Sequence, residues 1–125
     1  MLYSLEIPIP ANTSREALLA SDLQMCAGVI KRVWVRWRFG SARLCGCRIM
    51  RESRQIWPTN LTEWFVSCPN DVVFEEYYEL SDVPYGVTIE GYNLDDTYPH
   101  TLWVAFNVMR PSLSEKFLWL MEQLK

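Results

Sequence analysis

The stretch "GVIKRVWVRWRF", residues 28 to 39, carries the strongest secondary-structure signal in the chain. Its residues alternate strictly, which predicts a β-strand with one buried face. The buried set is Val33, Val35, Trp37 and Phe39, and the outward set is Arg32, Trp34, Arg36 and Arg38. The outward set is unusual because it interleaves cations with an indole ring. Both a fold and a candidate surface are therefore suggested by one strand.

The next segment, "ARLCGCRIMR", residues 42 to 51, predicts the partner strand, with Cys45, Cys47 and Ile49 turned inward. Gly46 lies in its middle, and glycine inside a strand usually marks a bulge or a closely approaching neighbour. Further alternation predicts strands near residues 3–9, 17–25, 54–57, 72–80, 85–92 and 101–109. Pro8 and Pro10 cannot donate ladder hydrogen bonds, so the first strand is expected at a sheet edge.

The tail "PSLSEKFLWLMEQLK", residues 111 to 125, changes period from two to that of a helix. Ser112 with Glu115 three residues later is typical of a capping box. One helical face would carry Leu113, Phe117, Leu120, Met121 and Leu124. We therefore predict an all-β domain over residues 1–110, an antiparallel, jelly-roll-like β-sandwich of seven or eight strands, followed by an amphipathic C-terminal helix over residues 111–125.

Composition narrows the class of protein. The chain has 125 residues, of which 50% are hydrophobic and 14% aromatic, enough to build one folded domain and too many for disorder. No apolar run reaches the length of a membrane helix, and the N-terminus lacks the features of a signal peptide. We expect synthesis and folding in the cytoplasm.

Cys26, Cys45, Cys47 and Cys68 are the four cysteines. The C-x-C spacing at 45 and 47 differs from the C-x-x-C of zinc ribbons and thioredoxins, and in a strand it places both thiols on one face. Buried free thiols are favoured, with a disulfide or a metal site as the less favoured alternatives.

The charges fall into two blocks of opposite sign. Residues 31–54 hold eight of the twelve Lys and Arg residues against the single acid Glu52, and residues 71–96 hold eight acids without a cation. Pairing between neighbouring strands, or between neighbouring copies of the protein, would account for both blocks. Binding of a single-stranded nucleic acid to the basic strand would account only for the first.

Chemistry at the segment "NLDDTYPH", residues 93 to 100, would need Asp95, Asp96 and the only histidine, His100. Asn, Asp and Pro in this order favour a turn, and the pattern of a calcium loop is missing. No nucleophile motif or phosphate-binding loop occurs in the sequence. We therefore expect a loop here, a protein that is not an enzyme, no metal site and no cofactor.

The tryptophans predicted on outward or less certain faces are Trp34, Trp103 and Trp119. Contiguous exposed apolar patches usually mark interaction sites, so these rings indicate either a surface for interaction or side chains that the second sheet or the helix covers. A carbohydrate- or surface-binding module is the alternative, with Trp57, Trp64 and loop tyrosines as its ring platforms.

The runs "EIPIPANTS", "GVIKRVWVRWRFG", "IWPTN", "EYYEL" and "EGYNLDDTYPHTLWVAFNV" resemble, over residues 3–109, small β proteins encoded among the structural genes of tailed phages and related prokaryotic viruses. The resemblance implies a capsid-decorating, vertex or tail-associated protein that self-associates and docks on a major capsid or other structural protein of the virion. It carries over no functional residues. From the residues themselves, the candidate interface comprises Arg32, Trp34, Arg36, Arg38, Trp103, Glu75, Glu79, Leu113, Phe117, Leu120, Met121 and Leu124.

Overall fold

Nine antiparallel strands form two sheets in the computed structural model, which describes residues 1–38, 43–67, 71–110 and 120–124. The strands are β1 (Leu2–Ile9), β2 (Leu19–Leu23), β3 (Gly28–Trp37), β4 (Cys45–Arg51), β5 (Arg54–Trp57), β6 (Phe65–Val66), β7 (Val72–Leu80), β8 (Val87–Asn93) and β9 (His100–Met109). The predicted all-β sandwich is confirmed.

The order of strands is that of a jelly roll. The four-stranded sheet runs β1-β9-β3-β7, and the five-stranded sheet runs β2-β8-β4-β5 with β6 also beside β4. Pairing is nested, since β1 meets β9, β2 meets β8, β3 meets β7 and β4 meets β5. Such nesting arises when one long hairpin wraps around itself. Successive strands alternate between the two sheets from β1 to β4 and from β6 to β9, while β4, β5 and β6 lie in the same sheet.

The first strand lies at the edge of its sheet, as its prolines predict, with Pro8 opposite Thr101. Strand β6 is missing from the sequence-based expectation, which places no strand between residues 57 and 72. It forms because β5 pairs only with Ile49–Arg51, which leaves the edge of β4 at Gly46 and Cys47 open to Phe65 and Val66.

A β-bulge at Lys31 shifts the alternation within β3. The register against both β7 and β9 slips between Ile30 and Arg32, so Ile30 and Val33 are both fully buried although they are three residues apart. From Arg32 onwards the predicted phase holds, with Val33 and Val35 in the core and Arg32, Arg36 and Arg38 exposed. Phe39 lies outside the described residues.

The core fills the space between the sheets with aliphatic side chains around one tryptophan. Trp57, at the end of β5, packs against Phe106 with ring centroids 6.3 Å apart and meets Phe74 and Tyr78 edge-on at 5.6 and 5.4 Å. Aromatic contacts of this kind add to the free energy of burial. This ring joins β5 of one sheet to β7 and β9 of the other.

The C-terminal helix is described over residues 120–123, with Leu124 in the turn that follows. Leu113, Phe117 and Trp119 of the predicted helix lie outside the described residues, and the predicted domain boundary at residue 110 stays a prediction. Among the residues that the structure describes, no helix is long and apolar enough to cross a membrane.

Candidate interface on the outer face of the four-stranded sheet

The outer face of the four-stranded sheet collects most of the residues predicted for an interface. Register fixes their neighbours: Arg36 lies opposite Trp103, and Trp34 lies between Ala105 on β9 and Val73 on β7. Arg32 lies opposite Asn107 and Glu75 in the next row. The outward arginines of β3 therefore lie between Trp103 on β9 and Glu75 on β7, where cross-strand neighbours can interact.

An apolar strip runs across this face. Trp34 and Trp103 are half-buried, while Val73 and Leu2 are exposed, Val73 to 50% of its full area. Sequence analysis missed Val73 and Leu2. The signal was present in both strands, because each is an apolar residue in the outward phase, where polar residues are expected. Trp34 and Val73 are cross-strand neighbours and Trp103 lies in the next outward row of β9, so these three form a patch of the type that marks contact surfaces, while Leu2 lies apart on β1, opposite Asn107.

The arginines of the face are paired with acids of the same chain. Arg32 bonds Glu75, Arg36 lies 2.9 Å from Asp71, and Arg38 lies 3.2 Å from Glu6. Three cations therefore meet three carboxylates, and this group of six carries no net charge. Of the two explanations for the opposed charge blocks, pairing between neighbouring strands is the one observed here. Exposed pairs add little to folding stability, so their main effect is on what the surface can bind.

The arginines also lie against the indoles. The guanidinium carbon of Arg36 lies 5.2 Å from the ring centroid of Trp103, and that of Arg32 lies 5.9 Å from the centroid of Trp34. Such cation–π contacts are favourable, and the apolar arginine stems cover part of the rings. The acid Glu79 lies at the far end of β7 opposite Val29 and is half-buried.

The described end of the C-terminal helix is exposed. Leu120 and Met121 keep 47% and 46% of their full exposure, and Leu124 keeps 81%. Three apolar side chains of the predicted helical face are therefore turned to solvent.

The segment from Asn93 to His100 is a tightly bonded loop, as predicted. Asn93 is fully buried and donates from Nδ2 to the carbonyls of Ile9 and Tyr98, at 3.1 and 3.0 Å. Asp95 Oδ1 accepts from the backbone N–H of Thr97 at 2.9 Å, and its Oδ2 lies 2.8 Å from His100 Nε2. The backbone N–H of Thr97, followed by the bond to His100, lowers the pKa of Asp95.

This loop closes one end of the sandwich. The backbone N–H of Asn12 donates to the Asp95 carbonyl at 2.8 Å, so the β8–β9 loop holds the β1–β2 loop. No group of three potential metal ligands occurs among the described residues. The Asp95 and His100 side chains bond to each other and to the loop, which is a structural arrangement.

Cys45 and Cys47 are fully buried, as their spacing predicts. Burial raises the pKa of the Cys45 thiol to about 12, and it raises that of the fully buried Cys47 further. The Cys45 thiol donates to Asn93 Oδ1 at 3.3 Å. Neither thiol has the low pKa of a nucleophile. Cys26 is half-buried and free, and Cys68 lies outside the described residues.

One of the ring platforms expected for a carbohydrate site, Trp57, is buried, and another, Trp64, is half-buried. Trp57 is 3% exposed and lies in the core, so its expected role as a sugar platform is wrong. Trp64 meets Tyr92 edge-on at 5.0 Å and has the Arg48 guanidinium 4.8 Å from its ring centroid. Tyr92 in turn lies on Gly46, where an added Cβ would come within 2.5 Å of the ring. The ring of Tyr92 is therefore the closely approaching neighbour that a glycine at position 46 predicts.

Comparison with protein-family models, with curated proteins and with solved structures finds no match for this chain.

Proposed function

We propose that the protein is a non-enzymatic structural protein that works by docking, through self-association and attachment to a larger assembly. Its contact surface is the outer face of the four-stranded sheet. The observation that carries the proposal is the combination on that face of an exposed apolar strip with charges already neutralised inside the chain.

The neutral charge balance favours a protein partner. Binding to nucleic acid draws its free energy from cations that meet phosphates and release counterions, whereas these three arginines meet carboxylates of their own chain. A face with an indole and valine centre and a rim of paired charges matches the composition of protein interfaces, in which Trp and Arg are enriched.

The resemblance to β proteins of tailed phages and related viruses supports a place in a virion, on a capsid or tail. A major capsid or other structural protein is then the second partner, beside further copies of this chain. Rigid sandwiches with one adhesive face suit repeated, symmetric contacts of this kind.

Two exposed valines provide a matched test. Val73 lies on the proposed contact face with 50% exposure, and Val66 lies on the five-stranded sheet with 40% exposure. Val73→Lys places a charge between Asp71 and Glu75, where the fold tolerates it, but in the middle of the contact. We expect the dissociation constant for self-association to rise at least ~10-fold, equal to about 1.4 kcal/mol.

The measurement is sedimentation velocity over a range of protein concentrations, with Val66→Lys as the control that leaves association unchanged. A wild-type chain that stays monomeric at millimolar concentration, or a Val66→Lys variant as impaired as Val73→Lys, would contradict the proposal.

A further inference from the structure

Strand β7 forms one edge of the four-stranded sheet and has an unpaired side. It pairs with β3 on one side, and no described strand pairs with its other side. Alternate residues of an edge strand direct their backbone N–H and C=O groups away from the sheet, where an extended segment can bond them. The edge of β7 therefore offers backbone hydrogen bonds that the described part of the chain does not use.

The other edge strands carry features that limit pairing. Strand β1 contains Pro8, which has no N–H to donate, and β2, β5 and β6 have five, four and two residues. Strand β7 has nine residues and contains neither proline nor glycine. Its register against β3 slips between Glu75 and Tyr78, so regular pairing with a further strand is expected over Val72–Glu75. Of the described edges, β7 is therefore the one best suited to accept a strand.

The charged residues of β7 define the charge of the strand that fits beside it. They are Glu75, Glu76 and Glu79, all of them acids. Glu75 bonds Arg32, whereas neither Glu76 nor Glu79 has an ion pair among the described residues. Glu76 is exposed and Glu79 is half-buried. Within the described chain, two carboxylates on this edge strand therefore lack a cation.

A basic strand already pairs with β7 inside the chain. On the paired side, β3 brings Arg32 to Glu75, and it brings Arg36 to Asp71, the residue just before β7. Opposite charges across neighbouring strands are favourable, whereas like charges directly opposite each other are destabilising. Two copies of β7 side by side place acids against acids. The charges therefore favour a segment with Lys or Arg at this edge over a second copy of the chain.

We propose that the free edge of β7 binds an extended, basic segment of a partner protein, which adds a strand to the four-stranded sheet. Backbone hydrogen bonds to Val72–Glu75 supply the affinity, and cations of the segment that lie near Glu76 and Glu79 select it. The edge is a different surface from the outer sheet face. Self-association through that face and capture of a segment at this edge therefore succeed or fail independently.

A short synthetic peptide that alternates lysine with threonine, labelled with fluorescein, tests the edge by fluorescence anisotropy with the full-length protein. The same peptide N-methylated at every backbone nitrogen keeps the charges but cannot donate backbone hydrogen bonds. We expect it to bind at least ~10-fold more weakly. A peptide with glutamate in place of lysine should also bind at least ~10-fold more weakly, because its charges repel those of β7.

Variants of the protein test the role of the two acids. The double variant Glu76→Lys and Glu79→Lys should raise the dissociation constant of the lysine peptide at least ~10-fold. The matched control is the double variant Glu16→Lys and Glu63→Lys, which changes the net charge equally. It does so at exposed acids of the β1–β2 and β5–β6 loops, and it should leave the dissociation constant unchanged.

Amide hydrogen exchange followed by NMR locates the bound peptide. At saturation, the backbone N–H groups of Val72–Glu75 that point away from β3 should exchange more slowly, while those of β2, an edge of the other sheet, should not change. Unchanged exchange in β7, equal binding of the N-methylated peptide, or no binding at ~1 mM overturns the proposal. Slower exchange in β7 at higher protein concentration without peptide identifies a second copy as the occupant, which also overturns it.

Discussion

The outer faces of the two sheets both carry arginine and aromatic side chains, but these are buried to different extents. On the five-stranded sheet, Tyr92 is fully buried over Gly46, and Arg15 lies 4.6 Å from its ring centroid while Trp64 packs against it. On the four-stranded sheet, the guanidinium groups of Arg32 and Arg36 lie over Trp34 and Trp103, and both indoles keep part of their surface in solvent. Arginine and aromatic rings complete a buried local structure on one face and leave half-buried indoles on the other.

The rings of the two faces differ in burial because different chain segments pack over the two sheets. The segment between β5 and β6 brings Trp64 onto Tyr92, and Gln55 binds this segment by donating from Nε2 to the Pro58 carbonyl at 2.8 Å. No described segment plays that part for Trp34. The ring with a described loop segment beside it is fully buried, whereas Trp34, which has no such described segment beside it, is half-buried.

The largest effect on stability is expected at Tyr92. Tyr92→Ala removes a fully buried ring, leaves a cavity above Gly46 and takes away the packing partner of Trp64. Aromatic-to-alanine changes at such sites cost ~3–5 kcal/mol of unfolding free energy. Urea unfolding followed by tryptophan fluorescence measures the loss. Tyr92→Phe, which keeps the ring and removes only the hydroxyl that accepts from Arg15, should cost about 1 kcal/mol or less. Similar losses for the two variants would show that the covered face is not held by ring packing.

Trp34→Ala is expected to weaken self-association more than it lowers the free energy of unfolding. The ring is half-buried, so its loss should cost about 1 kcal/mol of unfolding free energy, well below the cost at Tyr92. Self-association should weaken at least ~10-fold, because indoles at the centre of a contact dominate its free energy. Trp34→Phe should retain most of the affinity. The comparison between the faces breaks down if Trp34→Ala unfolds the protein as Tyr92→Ala does, or if it dimerises like the wild type.

The loop from β8 to β9 joins the two sheets, and its Asp95 carboxylate should make the free energy of unfolding depend on pH in the acidic range. The backbone N–H of Thr97 and the bond to His100 hold the pKa of Asp95 below its ordinary value. Stability from this carboxylate is therefore complete above the unfolded pKa of about 3.9, and is lost as pH falls through the lower folded pKa. Asp95→Asn should be less stable than the wild type at pH 7, and the difference in unfolding free energy should shrink as pH falls below the unfolded pKa of about 3.9.

Unfolding by urea at pH 7, 5 and 3 provides the measurement. Asp96→Asn is the matched control, because the neighbouring Asp96 is exposed and contacts only Thr97 Oγ1 and the Asn12 side chain among the described bonds. A gap between Asp95→Asn and the wild type that stays constant down to pH 3 would contradict the assigned cause.

Periodicity is enough to predict most of the architecture, because each strand buries one face and the alternation of Val33, Val35, Leu102 and Val104 reports that burial directly. It cannot predict β6, since two residues have no period. The bulge at Lys31 is equally hidden, because two phases of a strand joined by one extra residue read as a single strand.

The candidate face is predicted in part from the sequence. Outward Arg32, Trp34, Arg36 and Trp103 follow from strand phase, but the acid that each arginine meets depends on register between strands far apart in the chain. The pair Arg36 and Asp71 is one such case. Whether a ring is covered also depends on distant segments, which explains why Trp57 was expected as a binding platform and instead packs in the core, while Trp64 packs on Tyr92 and is half-buried.

The smallest expected effect is a difference in coupling free energy between two arginine–acid pairs that differ chiefly in solvent exposure. Arg36 bonds Asp71 and lies over Trp103, and Arg48 bonds Glu90 and lies over Trp64. Side-chain exposure is 56% and 43% in the first pair but 27% and 22% in the second. Because solvent screens the exposed pair, double-mutant cycles with Arg→Gln and acid→amide changes should give a coupling free energy of ~0.3 kcal/mol for Arg36–Asp71 and ~1 kcal/mol for Arg48–Glu90.

The same cycles can report on association. If a second copy covers the four-stranded sheet, water is excluded from Arg36 and Asp71, and their coupling should rise toward the value of the covered pair at protein concentrations that favour the dimer. Arg48 and Glu90, already covered by their own chain, should couple equally strongly at every concentration. Equal and constant coupling in both pairs would mean that the two faces do not differ in the way that their exposure indicates.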